Sequence, residues 1–315
     1  MIKKEDLAEL IVSELKKIYP ETDIQILEVK KVNQSLLGIC IRQPGSSIAP
    51  TVYVETYYKG YVNNMYSLAD ITENIQDVLR QSRETDIKSM TDALEDLKSC
   101  VNFIMPKLVN KALSKKLLQE VPHKDIGKDF SLIYCVLLQT DAKEGTEASC
   151  TITNNILNAW NVNEEWIYEQ AMINLERRDI ITMPASKMVH SINECQYPDE
   201  RCSIDEMCEV DMYLTSFDNF CNGAVIAMNK TFMNKVAKQL NGDFYIIPSS
   251  INEIIILPRF FFETIGGKEV VTEILHSENQ GMIHMQNLSE AKKPEVLSDY
   301  LWKYNAAMEK LEILE

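Results

Sequence analysis

Two polar segments of this chain carry the residue types that chemistry needs. Pro248-Ser249-Ser250-Ile251-Asn252-Glu253 separates two short apolar runs, Phe244 to Ile247 and Ile254 to Leu257. Pro122-His123-Lys124-Asp125 leads into a third, Phe130 to Leu138. A serine becomes a nucleophile when a histidine takes its proton and a carboxylate orients that histidine. His123, Asp125, Ser249, Ser250, Asn252 and Glu253 therefore form the candidate set. Serines that only make turns are far commoner, and spacing places no histidine beside Ser249; the four histidines are His123, His190, His276 and His284. Glu253 stands at the start of an apolar strand. An isolated charge there would be costly, so it is expected to be paired or exposed.

Other patterns read as structure. His190, Cys195, Cys202 and Cys208 are zinc-type ligands, but the Cys-x₂₋₄-Cys spacing of structural zinc sites is absent. A polar, cysteine-containing loop is the simpler reading, with metal kept as a minor one. Gly266-Gly267-Lys268 resembles a phosphate loop only briefly. Phe262 stands where its first glycine belongs, and Glu269 replaces the hydroxyl that would hold Mg²⁺, so a glycine-initiated helix is expected. There is no His-Glu-x-x-His, Gly-x-Ser-x-Gly or Gly-x-Gly-x-x-Gly. No cofactor and no metal are implied.

The elements that must position these residues follow from periodicity. β-branched and aromatic residues at consecutive positions make 244–247 and 254–257 central strands covered on both faces, with Ile255 expected at the buried centre. Strands are also expected at 24–32, 36–42, 51–57, 101–109 (broken by Pro106), 130–138, 148–152, 212–216 and 224–228. Amphipathic helices are expected at the N-terminus, through Leu7, Leu10, Ile11 and Ile18, and over 68–79, capped by Ser67. Others are expected near 87–100, 112–118, 154–160, 163–178, 232–240 (capped by Thr231), 270–276 and 297–311. Two strands and then a helix recur near 36–80, 129–177, 209–240 and 243–277. That order gives an α+β fold with mainly antiparallel sheet, helices packed on the sheet faces and two lobes, 1–100 and 101–315. A long polar loop is expected at 186–208 and is read as the most mobile internal segment.

Composition bounds the function. The chain has 315 residues, 45% of them hydrophobic, and a net charge of −15. A chain this acidic repels polyphosphate and anionic lipid, so neither nucleic acid nor membrane is an expected partner. The densest cationic cluster lies between Lys107 and Lys116. No apolar run approaches the roughly 18 residues of a membrane span, and acids interrupt the N-terminal apolar stripe. With eight cysteines expected to be reduced, the chain reads as cytoplasmic.

Several blocks together resemble an uncharacterised bacterial family, a domain of unknown function. They are Pro-Ser-Ser-x-x-Glu-Ile-Ile at 248–255, Pro50-Thr-Val-Tyr-Val-Glu-Thr-Tyr-Tyr, Val121-Pro122-His123, Ala171-Met-Ile-Asn174 and Cys221-Asn-Gly223-Ala224. In that family's pattern the position before the Glu is often His; here it is Asn252, which argues against a His–Glu pair. The resemblance implies fold and length and supplies no chemistry. Two functions remain. One is a non-enzymatic interaction or regulatory module with a protein or small-molecule partner. The alternative is a hydrolase with a pocket between the 122–125 and 248–253 turns.

Overall fold

The computed structural model describes residues 2–42, 50–84, 94, 96–141, 146–187, 201–288 and 295–314. Within them the fold is α+β, and every strand pairing is antiparallel. Most of the expected 87–100 helix and residues 188–200 of the polar loop lie outside the described residues.

The N-terminal unit starts with α1 (Lys4–Ile18), whose apolar stripe of Leu7, Ile11 and Leu15 is fully buried. It packs on a three-stranded sheet in the order β1 (Asp23–Lys31), β2 (Gln34–Arg42) and β3 (Thr51–Tyr53). The expected strand at 51–57 stops early because the chain turns into α2 (Glu55–Val62), burying Tyr57. Helix α3 (Leu68–Glu84) buries Ile71, Ile75 and Leu79. Ser67 caps it as expected: its hydroxyl accepts from Asp70 N at 3.2 Å while the Asp70 carboxylate accepts from Ser67 N at 2.8 Å.

A second sheet is built on β6 (Phe130–Asp141), which pairs with β4 (Ile104–Asn110) on one side and with β5 (His123–Asp125) and β7 (Thr146–Thr151) on the other. Pro106 does not break β4. It lies opposite Tyr134 on a strand with only one sheet neighbour, where its missing N–H costs no ladder bond. The short α4 (Leu97–Cys100) precedes this sheet, and α5 (Lys115–Leu118) joins β4 to β5. Helices α6 (Asn154–Ala159) and α7 (Glu164–Leu175) follow, capped by Thr153 and Asn163.

The third sheet has the order β13 (Lys310–Leu314), β12 (Leu301–Asn305), β10 (Phe244–Ile247), β11 (Ile254–Pro258), β9 (Tyr213–Phe217) and β8 (Ile180–Pro184). The central pair, β10 and β11, is covered on both faces as expected. Phe244, Ile246, Ile254 and Ile256 enter the main core, together with α7 and α8 (Lys230–Gln239). Tyr245, Ile247 and Ile255 face α9 (Arg259–Thr264) and α10 (Gly267–Leu288). Ile255 is therefore only half-buried, because that second cover is thinner.

Three further expectations are corrected. Residues 297–311 form β12, a turn and β13 in place of a helix. Trp302 and Tyr304 point into the core at strand period, and pairing with β10 overrides the helical reading. Residues 223–228 form a 3₁₀ turn buried from Gly223 to Ala227, which apolar periodicity alone cannot tell from a strand. Asn229, not Thr231, caps α8, accepting from Phe232 N at 2.9 Å.

One buried side chain helps to pin the β1–β2 hairpin to the rest of the fold. Asn33, at φ 59° in the hairpin turn, is buried, and asparagine tolerates that left-handed backbone. Its Nδ2 donates to Val296 O at 2.8 Å, and its Oδ1 accepts from Asn110 N at 3.0 Å and Ser114 Oγ at 3.1 Å. Among the described residues no helix is long and apolar enough to cross a membrane.

Candidate functional site

Strand β5 holds His123 and Asp125 through pairing with Ile133 and Ser131. The His123 Nδ1 lies 3.1 Å from Val121 O, a contact that requires a hydrogen on Nδ1. Asp125 accepts from Ser131 Oγ at 2.7 Å and pairs with Lys111 Nζ at 2.9 Å. These two contacts, the serine first, hold its carboxyl below the usual range. His123 and Asp125 line a cavity of about 430 Å³ with Lys111, Lys115, Leu118 and Gln119.

The 248–253 turn is wired elsewhere. Ser249 Oγ donates to Glu253 Oε1 at 3.3 Å, so its partner is a carboxyl and not a histidine. Ser250 is buried and its hydroxyl accepts from Asn252 N at 3.0 Å, a turn-stabilising bond. Burial pushes the Glu253 carboxyl above its ordinary range; the Ser249 hydrogen bond opposes this and nearby Glu295 adds to it. Asn252 is the connector. Its Oδ1 accepts from Asn222 N at 3.1 Å, and its backbone oxygen accepts from Ser216 Oγ at 2.6 Å and Gly223 N at 2.9 Å. A Cβ on Gly223 would stand 2.4 Å from that same oxygen, so the approach requires glycine. Among the described residues no hydrogen bond or ion pair joins this turn to 122–125, and none of its residues lines the cavity beside β5.

No group of three or more His, Cys, Asp or Glu suited to a metal occurs among the described residues, which do not include His190 and Cys195. Gly266 and Gly267 have φ of 110° and 68° and begin α10, as a glycine-initiated helix should.

A buried polar constellation around Glu147 is one that sequence reading misses. Glu147 on β7 accepts from Lys107 Nζ (β4) at 2.9 Å, from Asn222 Nδ2 at 2.9 Å and from Arg178 at 3.2 Å. The exposed fractions of the three charged side chains are 11% for Lys107, 3% for Glu147 and 13% for Arg178. Lys107 also donates to Ser149 Oγ at 2.7 Å, and Arg178 donates to Asn219 Oδ1 at 3.1 Å while stacking 3.8 Å over Phe217. Burial pushes the nearby Cys135 thiol up to about 11, so it is uncharged at neutral pH. Burial acts to lower the Lys107 ammonium, but its partners outweigh this and hold it above its usual value. With Cys135 neutral, Glu147 is the anion that keeps Lys107 charged. The network ties β4, β7, the end of α7 and the 219–223 turn together, and Asn222 links it to Asn252. The available signal was Lys107 itself, an ionisable residue inside a strand buried at every position.

No curated protein and no solved structure matches the chain. Residues 4–306 match the profile described as "Family of unknown function (DUF5688)". A match over nearly the whole length shows the family: the chain belongs to this family of unknown function.

Proposed function

We propose that the chain is a non-enzymatic interaction module that receives an acidic segment of a protein partner in the depression between α5 and β5. One observation carries this reading. On a chain of net charge −15, the cavity is lined by Lys111, Lys115 and His123 against a single carboxylate, Asp125. That carboxylate is already engaged by Lys111 and Ser131. Lys115 is exposed and has no ion pair among the described residues, so it is the cation left for a partner. Local charge of the opposite sign to the whole favours acidic groups by complementarity. A cytoplasmic setting is part of the proposal and fits the seven described cysteines, all of them free.

The test uses a fluorescently labelled hexaglutamate peptide followed by anisotropy. Salt-sensitive binding is expected, weakened about tenfold or more by Lys115→Glu and unchanged by Lys235→Glu on α8. Equal binding by both variants overturns the reading.

A hydrolase is the second reading, favoured by the raised carboxyl of Glu253 beside the Ser249 hydroxyl. Loss of p-nitrophenyl acetate hydrolysis in both Ser249→Ala and Glu253→Gln, with the fold intact, would bring it forward.

A further inference from the structure

Strand β1 pairs with β2 along one side and is the end strand of its sheet. It runs for nine residues, Asp23–Lys31, and no backbone hydrogen bond to its other side occurs among the described residues. Native proteins keep such edges short, cover them or place charge on them, because a row of open N–H and C=O groups recruits another strand. Here the middle of the edge is apolar: Ile26 and Leu27 are 39% and 37% exposed. The even-numbered face is occupied on both sides of Ile26. Ile24 is buried in the N-terminal core, and Glu28 and Lys30 pair with Lys116 and Glu120. The odd-numbered face carries Asp23, Gln25, Leu27 and Lys31, all exposed, and the half-buried Val29.

We propose that the occupant of this edge is the same strand of a second copy of the chain, paired antiparallel about Leu27. In that register the ends and the centre of β1 are complementary. Asp23 falls opposite Lys31 at both ends, and the two Leu27 side chains meet at the centre. Period-two alternation puts Asp23, Leu27 and Lys31 on the same, open face, so the charged pairs flank the apolar contact. Residues directly opposite across such a ladder have their Cβ atoms about 4.5–5.5 Å apart, within ion-pair reach of these side chains. Two three-stranded sheets then become one six-stranded antiparallel sheet, and the edge is closed by the isologous contact of a two-fold dimer.

The test is the mass of the full-length protein by size-exclusion chromatography with light scattering at tens of micromolar, with circular dichroism to verify folding. The wild type is expected to run as a dimer. Lys31→Asp faces Asp23 with a like charge, and Asp23→Lys faces Lys31 with one. Each single variant is expected to dissociate about tenfold or more readily, since opposed like charges destabilise a ladder. Mixing the two variants restores opposite charges at both ends, so an equimolar mixture is expected to regain the dimer. A wild type that stays monomeric overturns the proposal. So does a dimer that both single variants leave unchanged, or a mixture of folded variants that stays monomeric.

Discussion

Lys107 Nζ lies 2.9 Å from Glu147 Oε1, and both side chains are almost completely removed from water. The pair joins strands on opposite sides of β6, and Arg178 approaches the same carboxylate from the end of α7. Desolvating three charges is expensive. The arrangement holds because Glu147 receives donors from three side chains.

Glu147→Gln leaves two buried cations without their anion, and breaking a buried pair in this way costs about 3–5 kcal/mol. Lys107→Met should cost less, because Glu147 keeps Arg178. Urea denaturation checks the order. A Glu147→Gln protein within about 0.5 kcal/mol of wild type would show that the network does not hold the sheets together.

Glu253 sets a pH dependence. Its folded carboxyl titrates above the ordinary 4.5 because burial disfavours the charged form. The folded state therefore binds more protons than the unfolded state just above that value, and this group's contribution to stability falls as pH rises through its folded pKa. Glu253→Gln should be more stable than wild type at neutral pH, with the advantage vanishing in acid below the unfolded value. Thermal melts from acid to neutral pH test this, and a constant difference across the range would refute it.

Burial separates two neighbouring isoleucines. Ile256 is fully buried in the main core, so Ile256→Ala should cost about 2–5 kcal/mol. Ile255, half-buried under α9 and α10, should cost visibly less. Equal losses in melting temperature would contradict the two-sided arrangement of β11.

That contrast shows what was legible in the chain. Consecutive apolar residues identified β10 and β11 as covered strands, but the thickness of each cover depends on helices brought in from elsewhere. The cap Ser67 was readable because a cap is a bond within one turn, although the same reasoning placed the cap of α8 two residues late, at Thr231 and not Asn229. Residues 297–311 were not, since β12 exists through its pairing with β10, more than 50 residues earlier in sequence. The candidate turns were found as turns. Their wiring, Ser249 to Glu253 and Asn252 to Asn222, needed the fold. The Glu147 network draws on β4, β7, α7 and the 219–223 turn, and no local spacing announces such a meeting.

The thiols should react in a set order. Cys208 is exposed, whereas Cys135 is fully buried with its thiol pushed up to about 11. Thiolate chemistry is fastest where the thiol is accessible and ionised. A native-state titration should modify Cys208 early and Cys135 last, and the denatured protein should yield all eight thiols of the sequence. Early loss of Cys135, or markedly fewer than eight denatured thiols, would count against this.

Asn33 ties the hairpin turn to two regions of very different age during synthesis. Its Oδ1 partners, Asn110 and Ser114, follow it by 77 and 81 residues, but the Val296 carbonyl that its Nδ2 requires follows by 263. At about 5–20 residues per second, that acceptor is translated roughly 15–50 s after the hairpin. For that interval the amide nitrogen must be satisfied by water, and the seam between the N-terminal sheet and the rest stays half-closed on the ribosome. The segment that also carries the Asn110 acceptor, Leu297 O, thus works as a late latch. Folding of the N-terminal sheet can begin without it, but locking that sheet in place waits for a segment 263 residues further along to emerge.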